Sequence, residues 1–275
     1  MGNVYFHWMI IEAPIHNPSK ISRQPGLTII GQVFRLPKAM GKKTEFTEPK
    51  SIALRHLKDY EALEEKRAKN VWPLRREFAR SLKGAEPEFV LEVARELFTL
   101  SSNPGHATSL LMFHRKTFET LGEKEIEEFG EGMNSWGTVD TFARRLSGPA
   151  WLRGQISDEL IHKWAHSEDR WWRRAALVST VALNVRSHGG HGDAQRTLSI
   201  CKLLVEDRDD MVVKAMSWAL RELVIHDPDS VRAFLEKHEN VLAARVKREV
   251  WNKLRKGLKN PKRDRDENAR ASISD

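Results

Sequence analysis

From Pro49 onward, apolar residues recur every three or four positions, the period of a helix with one buried face. SIALRHLKDYEALEEKRAK (51–69), EPEFVLEVARELFTL (86–100) and ATSLLMFHRKTFETLG (107–122) each predict a helix. PLRREFARSLKG (73–84) opens on proline and closes on glycine, the residues favoured at a helix start and just past its end. Shorter periodic runs follow at EKEIEEFGEGM (123–133), SWGTVDTFARRL (135–146) and SDELIHKWAH (157–166). The remaining predicted helices are DRWWRRAALVSTVALNV (169–185), AQRTLSICKLLVED (194–207), DMVVKAMSWALRELVI (210–225), PDSVRAFLEKH (228–238) and ARVKREVWNKLRKGL (244–258). No alternating pattern of comparable strength occurs in this region, so it predicts an all-α domain of short antiparallel helices.

The pattern also repeats. RWWRRAALVSTVAL (170–183) aligns with MVVKAMSWALREL (211–223), so that Arg174-Ala175 falls on Lys214-Ala215 forty residues on, and VKREVWNKL (246–254) is a weaker third copy. A helix pair recurring near this period is characteristic of HEAT-type α-solenoids, which offer a concave groove lined by the second helix of each pair. Residues 1–48 differ. Pro14, Pro18, Pro25 and Pro37 interrupt them, and only GLTIIGQVF (26–34) reads as a short strand. We expect an N-terminal arm over 1–48, poorly ordered, a helical repeat domain over 49–258, and a basic, polar tail over 259–275.

Charge changes this picture less than its total suggests. The net charge is +8, but Arg245 to Arg265 contributes ten basic and two acidic residues, whereas Ser51 to Ala244 holds 28 basic and 30 acidic. A basic groove in the body therefore requires charges sorted between faces. The tail residues from Lys253 to Arg265 are candidates for salt-dependent contact with nucleic-acid phosphates. The lone Cys201 excludes an internal disulfide and a cysteine-rich zinc site, and fits a reducing compartment. MGNVYFHWMII lacks a positive leader, and no apolar run approaches a membrane span, so a cytoplasmic protein is expected.

Nine tryptophans against two tyrosines is an unusual balance. In NSWGTVD (134–140), Trp136 precedes Asp140 by four positions and shares its helix face. That arrangement suits either a core indole beside a rim carboxylate or half of a site for positive charge. His162 and His166 in HKWAH have metal-compatible spacing without a recognisable third ligand, and HGGHGD (188–193) reads as a linker. Of the adjacent Trp171 and Trp172, which cannot share one face, one should be core. Cys201 sits in an apolar helix and should be buried.

PLRREFAR (73–80), NSWGTVDTFA (134–143), RWWRRAALVS (170–179) and VKAMSWALRE (213–222) together resemble the AlkD-type bacterial DNA alkylation-repair glycosylases, over roughly residues 50–258. The resemblance implies a monomeric HEAT-like enzyme that excises N3- and N7-alkylated purines from double-stranded DNA without metal or other cofactor, leaving an abasic site. It implies that Asp140 acts on the sugar, that Trp136 and Trp218 wall the site, and that Arg174, with Arg173 and Lys214 nearby, contacts backbone phosphate. Asp210-Met211-Val212 departs from the bulkier aromatics expected there. A DNA-binding repeat protein without turnover, or a helical scaffold for protein partners, fits the periodicity alone equally well. The residue types suit the chemistry independently. Loss of a cationic base leaves an oxocarbenium-like sugar, which a carboxylate in a dehydrated groove stabilises. At 4 Å such a pair gains about 1 kcal/mol in water and about 4 kcal/mol at an effective dielectric of 20, so the walls that exclude water matter as much as the anion.

Overall fold

The structure, a computed structural model, describes residues 48–261. The expected arm, its short strand and most of the tail lie outside the described residues. Within them all regular structure is helical: α1 (Pro49–Glu61), α2 (Ala68–Ser81), α3 (Pro87–Leu100), α4 (Gly105–Phe113), α5 (Arg115–Thr120), α6 (Glu123–Glu128), α7 (Trp136–Phe142), α8 (Gly148–Leu152), α9 (Asp158–Ala165), α10 (Arg170–Asn184), α11 (Ala194–Leu203), α12 (Asp210–Leu223), α13 (Pro228–Lys237) and α14 (Ala244–Lys256). A π turn over Ala143–Ser147 joins α7 to α8 without a break, and a 3-10 turn covers Arg186–His188.

Helix-to-helix packing resolves these elements into two layers. One runs α2, α4, α7 with its π turn and α8, α10, α12, α14, each packed on the next. The other contains α1, α3 and α5, then α9, α11 and α13. Helix α6 joins this second layer through ion pairs from Glu128 to Arg95 of α3 and from Glu127 to Lys163 of α9. This is the HEAT-like stack, and its forty-residue repeat is visible in the caps. Asp169 and Asp209 sit forty residues apart, and their carboxylates accept from the backbone N–H of Trp171 and Met211 at 2.8 Å. α10 is the spine, and every residue from Arg174 to Asn184 is buried.

Charge is sorted between the layers. Helices of the α2–α14 layer carry 17 basic and 5 acidic side chains, and those of the other layer 12 and 14. A body that is neutral along the chain thus presents one strongly cationic face.

Three elements differ from the sequence expectation. The run 51–69 is two helices, because the charged stretch Ala62–Arg67 offers nothing to bury, and α2 starts at Ala68 and continues through Pro73. Burial of Val71, two residues ahead of the proline, outweighs the backbone bond lost there. The run 107–122 breaks at His114, whose Nδ1 meets Thr117 Oγ1 at 2.8 Å and whose Nε2 meets the Leu82 carbonyl at 3.1 Å. Its ring therefore caps α5 and ties it to α2. The helix predicted over 135–146 runs on to Leu152 through the π turn. Pro149 has no N–H to give the Arg145 carbonyl and its ring presses on that carbonyl, a conflict that a widened turn relieves. Gly148 permits the close approach to α10: a Cβ there would lie 2.7 Å from both the Ser179 carbonyl oxygen and the Ala182 Cβ.

Candidate active site

Ser135 starts the site. Its Oγ accepts from the Thr138 N–H, and Thr138 Oγ1 accepts from the Ser135 N–H, a capping box that fixes where α7 begins. Trp136 is then the first helical residue and Asp140 lies one turn later on the same face. The indole is 53% exposed, the most exposed aromatic of the cationic layer, so the core reading of Trp136 does not hold. Asp140 is largely buried, its side chain 20% exposed.

Arg174 on α10 meets this carboxylate fork to fork. Nε donates to Oδ1 and Nη2 to Oδ2, each at 3.0 Å, while Nη1 donates to the Met211 carbonyl at 2.5 Å. The guanidinium side chain is only 7% exposed and links α7, α10 and α12. Sequence reasoning assigned it to a phosphate. Three of its five N–H donors are engaged within the fold, two on this carboxylate and one on the Met211 carbonyl. Burial pushes the Asp140 carboxyl above its ordinary value, and Arg174, then Arg144, oppose that shift by favouring the charged form.

Trp218 on α12 is half-buried. Its Nε1 donates to Glu222 at 2.9 Å, and the Arg144 guanidinium lies 5.5 Å from its ring centroid. Arg144 follows Asp140 by one turn, so one arginine connects the carboxylate's helix to this second indole. The other expected phosphate ligands are engaged locally. Arg173 bonds Asp207 at 2.7 Å and the carbonyls of Ser167 and Glu168, tying two loops together. Lys214 pairs with Asp210 in its own helix at 2.5 Å and keeps 40% exposure.

The other candidates have structural partners. His162 meets Ser199 at 3.4 Å, and His166 bonds the His162 carbonyl at 2.8 Å. In HGGHGD, Gly189 and Gly192 adopt φ of 87° and 92°, and Gly190 lies against the end of α10, where a Cβ would come within 2.4 Å of the Ala182 carbonyl oxygen. Trp172 packs on Phe142 and Trp164, and Trp171 lies under the Arg170 guanidinium at 4.7 Å. Cys201 is fully buried, and burial pushes its thiol far up.

Sequence reasoning did not single out Arg75, Arg144 and Arg145. The available signal was two adjacent arginines four and five positions after an aspartate, in an otherwise apolar segment. Arg145 lies 4.1 Å from the Trp72 ring centroid, and Arg75 reaches the same ring at 5.8 Å. The arrangement joins an ionisable carboxylate, an exposed indole and a run of guanidiniums on one cationic layer. It suits a polyanion that presents a cationic centre.

No curated protein matches the chain. A family model described as DNA alkylation repair enzyme matches residues 67–254, a span from α2 into α14 that contains every side chain of the site. By that match, and by the all-helical two-layer stack that carries it, the chain belongs to the DNA alkylation repair enzyme family.

Proposed function

We propose that the protein is a DNA glycosylase for cationic alkylpurines in duplex DNA. Asp140 stabilises the sugar cation as the N-glycosidic bond breaks. Trp136 and Trp218 flank the nucleotide and exclude water, and Arg174 keeps Asp140 ionised and aimed. The observation that carries the reading is the bidentate Arg174–Asp140 pair one turn from a solvent-facing indole. A merely structural ion pair has no need of an exposed tryptophan on the same face.

The charge logic is direct. Alkylation at N7 or N3 makes the purine cationic, so it departs as a neutral base and needs no acid to protonate it. One carboxylate then suffices, where glycoside hydrolysis uses two. Each indole face attracts positive charge by about 0.5–2 kcal/mol, which favours the lesion over an undamaged nucleotide. Asp140 also stands where it can align the attacking water. The cationic layer supplies the sequence-independent attraction for the duplex.

The test is release of 7-methylguanine or 3-methyladenine from methylated duplex DNA. Wild-type protein releases base, and Asp140→Asn binds the same duplex but releases none. Equal release by the two would reject the mechanism. Duplex binding without release by the wild-type protein would leave a non-catalytic DNA-binding repeat protein.

A further inference from the structure

Arg144 and Arg145 stand on the π turn that follows Asp140, and among the described residues neither has a carboxylate within ion-pair distance. Both are half-buried, and both rest on aromatic faces. Arg144 lies over Trp218 on α12, and its Nε is buried without a hydrogen-bond partner. Arg145 lies over Trp72 on α2, with Nη1 4.0 Å from the Met112 sulfur of α4. The widened turn thus sends two consecutive guanidiniums in opposite directions along the layer, one across α10 and one across α4.

The surroundings add more positive charge. Arg75 is 8% exposed, and among the described residues its hydrogen bond is to Ser109 Oγ at 3.4 Å. Burial, with Arg144 and Arg75 adding to it, pulls Arg145 down to about 10. His188 is pulled down to about 4 by burial and then by Arg144, Arg145 and Arg153. Desolvated like charges repel; Asp140, already paired with Arg174, offsets part of that repulsion at Arg144, and an anion from outside would offset the rest. Arg174 is different: its charge is already neutralised by Asp140.

We propose that Arg144 and Arg145 are the clamp for the DNA backbone, taking phosphates on either side of the nucleotide presented to Asp140. Stacked guanidiniums keep their N–H edges free while the ring face fixes their orientation, which suits bidentate contact with phosphate oxygens. This assignment rests on the reading of the site as one that acts on duplex DNA.

The experiment measures affinity for an undamaged duplex by fluorescence anisotropy across a salt series, for the wild type, Arg144→Gln, Arg145→Met and the double variant. Methionine retains an apolar stem over Trp72, and thermal melts check folding. Each lost phosphate contact lowers the slope of log K against log salt by about 0.9, so the double variant loses about 1.8. An unchanged slope in the double variant overturns the assignment. If Arg145→Met does not fold, Arg144→Gln decides alone, with a loss of about 0.9 expected and no loss refuting. Failure of the wild type to bind duplex overturns this inference and the glycosylase reading together. A lowered slope without base release from methylated DNA overturns only the latter.

Discussion

Replacing Arg174 by methionine separates the charge of this residue from the volume it fills. In the wild type, burial lifts the Asp140 carboxyl and the guanidinium holds it down. Two unit charges about 4 Å apart interact by about 4 kcal/mol at an effective dielectric of 20, the equivalent of about 3 pH units at 1.36 kcal/mol each. An adjacent arginine ordinarily lowers an aspartate by about 1–3 units. Arg174→Met should therefore move the acid limb of the single-turnover base-release profile upward by about 1–3 pH units, because only the ionised carboxylate stabilises a sugar cation. Arg174→Lys, which keeps the charge but loses the fork, should recover part of that shift.

The same substitution has a stability signature of defined sign. Leaving a buried charge without its partner costs about 3–5 kcal/mol, or about 6–20 °C in Tm for a unit of this size. In the variant the folded-state carboxyl lies above its unfolded value, so the native protein binds more protons than the unfolded chain in that window. Relative stability then falls as pH rises through the window, and the Tm gap to wild type widens toward neutral pH and closes in acid. An acid limb that coincides with wild type, lowered only in amplitude, would refute Arg174 as the partner that keeps Asp140 charged. A Tm gap that opens in acid would refute the linkage.

Three further outcomes follow from the packing. His56 and His106 are buried against one another, Nε2 to Nδ1 at 3.0 Å, and burial, then Arg75, pulls them down to about 4 and about 3. Their contribution to stability is complete above the unfolded value near 6.5 and is lost as pH falls from there through the folded values. Urea unfolding should show a loss on the order of 4 kcal/mol between pH 7.5 and 5, with most of it absent in a His56→Gln, His106→Gln background. Trp136→Ala removes an exposed ring and should change stability by no more than about 0.5 kcal/mol while strongly reducing base release; a large fall in Tm would return Trp136 to the core. Gly148→Ala forces a methyl group against the Ser179 carbonyl and the Ala182 Cβ, and should lower stability by about 1–3 kcal/mol, read as a shifted urea midpoint at unchanged m.

The helices and their repeat were legible because period and caps are local. Asp169 and Asp209 announce α10 and α12 from adjacent residues, and the apolar stripe after each names its buried face. The misses share one cause, a tertiary partner that outweighs a local rule. Pro73 reads as a helix start, yet burial of Val71 carries α2 past it; His114 reads as helix interior, yet the Leu82 carbonyl 32 residues away recruits its ring as a cap. The site divides along the same line. Trp136 and Asp140 share one turn of one helix, so their common face could be read directly. The pairing of Arg174 could not, because its partners lie 34 and 37 residues away on two other helices.

Charge gives the same lesson on a larger scale. Counted along the chain, the body is close to neutral and argues nothing about a polyanion. Counted by layer, the helices that carry Trp136, Asp140 and Trp218 hold more than three times as many basic as acidic side chains, and the opposite layer holds slightly more acidic than basic. Much of the acidic charge of the second layer is engaged within it, as in Glu128 with Arg95 and Glu127 with Lys163. Arg144, Arg145 and Arg75 of the first layer have no carboxylate partner among the described residues, and they rest instead on Trp218 and Trp72. Folding therefore creates the cationic face by segregation. A domain that needed only solubility would have no reason to seat three partly or fully buried guanidiniums on those rings without a carboxylate partner.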